Sequence, residues 1–264
     1  VTAILSAQHL EKSFGSFVAA HDISCDIARG ATVGIIGANG AGKTTFVNMI
    51  SGHIVPSKGR IVFDGRDIAG TAAREITKLG VGRSFQIAQV FASLTALENM
   101  CVAIAVARYG DTVRALISRR LMAPEIVRAA ADGLAQFGIA GYRDVPANTL
   151  SQGVRKILDV AMAAARGPKL IMLDEPTSGV SREERHGLMK SVMTALKARG
   201  VTILFVEHDM EVVATHSERV LAFIDGTIVA DGAPDLVFAR EDVCARITGH
   251  VAPATLIGAG AAHA

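Results

Sequence analysis

Tryptophan is absent from this sequence of 264 residues and tyrosine occurs twice, yet half of the chain is hydrophobic. The apolar content therefore rests on Ala, Val, Ile and Leu, the composition of a buried sheet flanked by alanine-rich helices. Cysteine is equally sparse. Cys25, Cys101 and Cys244 lie far apart with no metal-site spacing. Three such residues exclude a disulfide-stapled secreted module and fit a reducing compartment. Neither charge sign predominates: 27 basic against 25 acidic side chains give a net charge of +2. That balance argues against a protein that grips nucleic acid through a basic surface.

Long hydrophobic runs are missing too. Mean hydropathy is high at +0.37, but the longest unbroken apolar run extends only from Met100 to Ala107. The stretch from Ile157 to Leu173 is interrupted by Asp159, Arg166, Gly167, Pro168 and Lys169. A helical membrane span needs about 20 mainly apolar residues, so none is expected. The first residues lack a basic region followed by a long apolar core, so no secretory leader is expected. The length suits one large α/β domain or two small ones.

What is present is strongly patterned. Residues 2–36 read as short strands, with turns near Gly15 and at Ala28-Arg29-Gly30, and with Ile23, Cys25 and Ile27 alternating as in a sheet with one wet face. "GRIVFDGRDI" reads as a hairpin turning at Asp64-Gly65. From Ala96 to about Phe137 the pattern is helical with a break near Pro124, which predicts a helical subdomain. A helix opened by Ser151 closes at Gly167-Pro168. "KLIMLDEP" and "VTILFVEHD" read as buried strands on either side of an amphipathic helix, an arrangement that implies parallel pairing. The tail beyond Ile247 is rich in Ala and Gly and is expected to be mobile.

The strongest motif, Gly37-Ala38-Asn39-Gly40-Ala41-Gly42-Lys43-Thr44, is a complete G-x-x-x-x-G-K-[ST] phosphate loop between a strand and a helix. Its glycines let backbone N–H groups close round phosphate oxygens, and the helix terminus adds favourable dipole. Gly37, Asn39, Gly40, Gly42, Lys43, Thr44 and Thr45 are the candidate nucleotide-binding residues. Lys43 suits the β- and γ-phosphates and the Thr44 hydroxyl suits Mg²⁺. In "LIMLDEP", Asp174 arrives at a strand end suited to Mg²⁺, and Glu175 beside it is placed to accept a proton from an attacking water. His208, with Asp209 after it, can point toward the same phosphates, although alone it reads as structural. Gln86 in "GRSFQ" is weaker still. Ser151 and Gly153 open a second helix start fit for an anion, or a plain N-cap. Phe14 and Phe17 could stack on an adenine, but each alone is better read as core packing. The remaining histidines form no ligand set.

Together these motifs resemble the nucleotide-binding subunit of an ABC transporter over residues 3–247. "GANGAGKT" stands as Walker A, Gln86 as the Q-loop, "LSQG" as the signature, "LIMLDE" as Walker B and His208 as the switch histidine. The resemblance implies an α/β fold: a P-loop NTPase core of ABC type with an antiparallel β subdomain and an inserted helical subdomain. One such domain would cover residues 1–250, with helices at about 96–160 and a tail at 251–264. It also implies ATP and Mg²⁺, held by Thr44, Gln86 and Asp174, with Glu175 as base and His208 on the γ-phosphate. Lys43 and Gln86 complete the catalytic set, Phe14 becomes the adenine-stacking aromatic, and Ser151 and Gly153 serve ATP bound by a partner domain. Two departures stand out: Gln152 and Val154 replace a glycine and the glutamine of LSGGQ, and Val180-Ser181 replaces a Leu-Asp pair.

Within the family, "VGRSFQIAQVFASLTALENM", the insertion between Tyr109 and Pro124, and "VEHDMEVV" resemble the first ATPase type of the branched-chain amino-acid importers. That implies a peripheral subunit on the cytoplasmic face of the inner membrane. Its partners would be two permease subunits, a second ATP-binding subunit, identical or paralogous, and a solute-binding protein acting through the permease. Urea or short-amide importers and lipid or lipopolysaccharide exporters are the alternatives. A soluble DNA-repair or translation protein fits less well, because one Walker A stands without heptads or metal-spaced cysteines.

Overall fold

The structure, a computed structural model, describes residues 2–110 and 121–248. The expected tail at 251–264 and most of the insertion between Tyr109 and Pro124 lie outside the described residues. The strands are β1 (Ala3–Phe14), β2 (Phe17–Ala28), β3 (Thr32–Gly37), β4 (Lys58–Phe63), β5 (Arg66–Asp67), β6 (Val81–Ser84), β7 (Leu170–Asp174), β8 (Thr202–Val206), β9 (Arg219–Ile224) and β10 (Thr227–Gly232). The helices are α1 (Lys43–Ile50), α2 (Ala73–Leu79), α3 (Ala96–Tyr109), α4 (Pro124–Gln136), α5 (Gln152–Ala164), α6 (Arg182–Lys197), α7 (Met210–His216), α8 (Pro234–Phe238) and α9 (Glu241–Thr248). Among the described residues they fall into two compact units, one built from residues 2–81 and 202–248, the other from 82–110 and 121–201.

In the first unit, β2-β1-β4-β5 form an antiparallel sheet. Ile23, Cys25 and Ile27 are buried while Asp22, Ser24 and Asp26 are exposed, the alternation of a half-wet sheet. Asp64 and Gly65 both take positive φ, 48° and 79°, the backbone of a two-residue hairpin turn. A second set runs β10-β9-β3-β8, with β3 parallel to both β8 and β9. β3 is buried along its whole length, as a central parallel strand must be. A Cβ on Gly34 would lie 2.7 Å from Val213 Cγ1, so a glycine here lets α7 pack close.

In the second unit, β6 and β7 are neighbours, and β7 is buried throughout. Helices α3, α4 and α5 pack on one another. α3 opens with a reciprocal cap: Thr95 Oγ1 accepts from the Glu98 N–H, and the Thr95 N–H donates to Glu98 Oε2 at 2.7 Å. α4 begins at Pro124, where a missing N–H costs nothing. Among the described residues no helix is long and apolar enough to cross a membrane.

Candidate functional site

The phosphate loop leaves β3 at Gly37 and enters α1 at Lys43. A Cβ at Gly37 would lie 2.4 Å from the Phe223 carbonyl, so only glycine lets the loop depart beside β9. Gly40 and Gly42 take φ of 81° and 94°, a region costly for any other residue. Gly42 is also walled in, because its Cβ would approach Ala19 O at 2.8 Å and Gly226 Cα at 3.1 Å. Main-chain bonds from the His21 N–H to Gly226 O and from the Gly226 N–H to Ala41 O brace that wall.

Gly42 caps α1 without any side-chain hydrogen bond, which leaves the start of the helix suited to an anion. Lys43 is buried, and its ammonium donates to Gly37 O at 2.7 Å and Ala38 O at 2.9 Å. The loop closes round its own lysine. Asn39 and Thr44 are exposed and Thr45 is half-buried. Cradle, positive side chain and open helix end fit a polyphosphate.

In the same unit Phe14 and Phe17 pair across the β1–β2 hairpin and are 50% and 64% exposed. This corrects the expectation that either is a core residue: both rings lie at the hairpin end, past the last inward-facing position. Lys12 Nζ sits 5.1 Å from the Phe14 ring centroid. His208 follows β8 and is exposed, and its N–H donates to Glu207 Oε2. Asp209 follows it and caps α7, accepting from the Glu211 and Val212 N–H groups at 3.0 and 3.3 Å.

The second unit gathers the remaining candidates. β7 delivers Asp174 to its end, where the carboxylate pairs with Arg83 at 3.0 Å, both nearly buried. Glu175 follows in a left-handed conformation, φ 47°, unusual for a glutamate. Gln86 Nε2 donates to Glu175 Oε2 at 2.7 Å, so the two candidates for handling water are in direct contact. Ser151 caps α5, its Oγ accepting from the Val154 N–H at 3.4 Å, and stays exposed with Gly153 half-buried behind it.

Three residues that motif reading passed over hold this arrangement. Arg83 compensates Asp174. Lys156, buried in α5, donates to the carbonyls of Gln86 at 2.6 Å and Glu175 at 2.9 Å. Asp159, one turn on, accepts from the N–H groups of Phe85 and Gln89 at 3.4 and 2.8 Å. Burial pushes the Asp159 carboxyl up from 3.8 to about 6, against the lowering effect of those two N–H groups and Lys156. A cleft of about 440 Å³ opens between residues 86–90 and the start of α5.

Among the described residues no group of three or more His, Cys, Asp or Glu side chains could hold a metal. In the second unit the Gln86 amide and the Asp174 carboxylate are oxygen donors of the kind Mg²⁺ takes beside substrate phosphates, with few protein ligands.

A sequence profile described as ABC transporter matches residues 20–178. The chain is 34% identical over 231 residues to a probable branched-chain amino acid transport ATP-binding protein, LivG, of Archaeoglobus fulgidus, covering 87% of this chain and 89% of that one. It is 31% identical over 243 residues to the high-affinity branched-chain amino acid transport ATP-binding protein BraF of Pseudomonas aeruginosa, covering 91% and 95%. Among solved structures, the ADP conformation of MJ1267, an ATP-binding cassette of an ABC transporter, superposes with a TM-score of 0.83. That match has 29% identity and covers 95% of this chain and all of the other.

Proposed function

This chain belongs to the ABC transporter family of ATP-binding proteins, and from that membership we propose that it hydrolyses ATP to power uptake of branched-chain or related amino acids through a membrane permease. The ATPase activity agrees with its fold, which is that of ATP-hydrolysing nucleotide-binding domains. The amino-acid substrate rests on similarity to LivG and BraF proteins.

The observation that carries the catalytic part is the 2.7 Å contact between Gln86 and Glu175. Glu175 accepts the proton of the attacking water as general base, and the Gln86 amide orients that water and the carboxylate. Lys43 and the N–H groups of residues 37–45 stabilise charge on the transferring phosphoryl group. Phe14 stacks on the adenine, and His208 holds the γ-phosphate. Thr44, Gln86 and Asp174 would hold Mg²⁺, which when bound neutralises phosphate charge. Ser151 and Gly153, at the exposed start of α5, meet the ATP of a second ATP-binding subunit, identical or paralogous. Ile87, next to Gln86, and Phe91 are 77% and 53% exposed and offer apolar surface to one of two permease subunits. A solute-binding protein delivers cargo from the other side, which places this chain on the cytoplasmic face of the inner membrane.

The test is reconstitution: the chain co-purified with its permease should support ATP-dependent uptake of labelled leucine, isoleucine or valine, and Lys43→Ala should abolish it. Uptake of urea or short amides with none of branched-chain amino acids would refute the substrate. Lys43-independent hydrolysis would refute the site.

A further inference from the structure

We propose that Lys156 is the positioning residue for Gln86 and Glu175, and that through it helix α5 ties the phosphate-facing end of the signature segment to the water-handling pair of the same chain. The inference rests on the functional reading above. It begins from an anomaly of burial. Lys156 is only 3% exposed, and a buried ammonium is tolerated when its donors are met. Two of its partners are the main-chain carbonyls of Gln86 and Glu175, residues far apart in sequence whose side chains are joined to each other. One charged atom thus fixes both backbones at the point where their side chains meet.

The neighbouring contacts act in the same direction. Asp159, three residues on and so on the same helix face, accepts N–H groups from Phe85 and Gln89, on either side of Gln86. Glu175 sits at φ 47°, and its carbonyl also accepts the Ser178 N–H at 3.0 Å. Lys156 adds a second donor to the carbonyl of a residue held in a costly conformation. At the start of α5, Gln152 Nε2 lies 3.4 Å from Ser178 O and covers Gly179, where a Cβ would fall 2.1 Å from that nitrogen. Helix α5 therefore grips segments 85–89 and 175–179 together.

Ser151, the residue proposed to meet a partner's phosphate, stands at the head of this same helix. Lys156 follows about 7.5 Å along its axis at the usual rise per residue. A shift of α5 as Ser151 engages phosphate moves the Gln86 and Glu175 carbonyls with it. Two nucleotide sites are thereby linked within one chain: the one that Ser151 touches and the one that Glu175 serves.

The experiment uses the full chain and measures steady-state hydrolysis, affinity for a fluorescent ATP analogue, and thermal unfolding. Lys156→Met should lower kcat by about tenfold or more while KM and nucleotide affinity stay within about twofold. Lys156→Arg, which can serve two carbonyls, should retain more kcat than Lys156→Gln, which serves fewer. In a Glu175→Gln background, adding Lys156→Met should cost much less than in the wild type, because Lys156 acts through the Gln86–Glu175 pair that this change already disables. A folded Lys156→Met protein with unchanged kcat, an effect confined to KM, or losses that add in the double variant would each overturn the proposal. Should Lys156→Met fail to fold, the Arg and Gln variants decide it, and equal kcat in the two overturns it. A wild-type chain without Lys43-dependent hydrolysis overturns the functional reading as well. An active wild type matched by Lys156→Met overturns the positioning role alone.

Discussion

Asp159→Asn should change the pH dependence of stability by an amount that can be worked out beforehand. The carboxyl is 5% exposed, and burial lifts it from 3.8 to about 6. A folded-state value above the unfolded one means the native protein binds this proton more tightly. The stabilisation is complete below about pH 4, where both states are protonated, and is lost as pH rises through 6. The difference of about 2.2 pH units corresponds to about 3 kcal/mol. Asparagine has the shape of the protonated acid and cannot ionise. Its stability relative to wild type should therefore be flat below pH 4, climb between pH 4 and 6, and level off about 3 kcal/mol higher at pH 7.

Urea unfolding of both proteins at half-unit steps from pH 4 to 8 measures this, because every other titrating group cancels in the difference. The absolute offset at pH 4 reports how well an amide replaces a carboxyl opposite the N–H groups of Phe85 and Gln89. Only the slope reports the charge. A difference that stays constant across the range would refute the desolvation argument. A difference of opposite sign would mean that Lys156 and the two N–H groups outweigh burial, with the ionised form then stabilising the fold.

Glu175→Gln should leave ATP bound yet lower turnover by about 10²–10⁴-fold, the usual worth of a general base, and should trap an ATP-dependent dimer on a sizing column. Multiple turnover at the wild-type rate would remove Glu175 as base. Gly37→Ala should destabilise the chain by about 1–3 kcal/mol or more in chemical denaturation, since its Cβ meets main chain at 2.4 Å that cannot swing away; unchanged stability would contradict the close approach of β3 to Phe223. Phe14→Ala should weaken binding of ATP more than that of inorganic triphosphate, and an equal loss for both would place the ring away from the base. Because the ring is exposed, the same change should leave the unfolding midpoint nearly unmoved.

What the sequence made legible is what neighbouring residues decide among themselves. The phosphate loop works through main-chain N–H groups, so its glycines must stand at fixed spacing, and the structure puts Gly40 and Gly42 at the positive φ that spacing implies. Asp64-Gly65 marks its turn by the same local logic, and Ser151 its helix start. Gln86 and Glu175 were each nameable from the family pattern, but their contact joins side chains 89 positions apart, and no periodicity reports that. Arg83 with Asp174 is the same kind of pairing.

Lys156 and Asp159 occupy an intermediate case. Both lie on the stripe that continues through Val160 and Ala164, the buried face of α5, so the sequence places two charges where an amphipathic helix should present apolar groups. Two charges on that face could neutralise each other, which would make the helix a self-contained ion pair packed against hydrocarbon. Each also reaches main chain: one donates to carbonyls and the other accepts from N–H groups, from loops on the same side. Main chain presents both polarities within a few residues, which an apolar neighbour cannot do. A lysine and an acid one turn apart on a buried helix face therefore signal an irregular backbone segment docked there, and in this chain that segment carries Gln86.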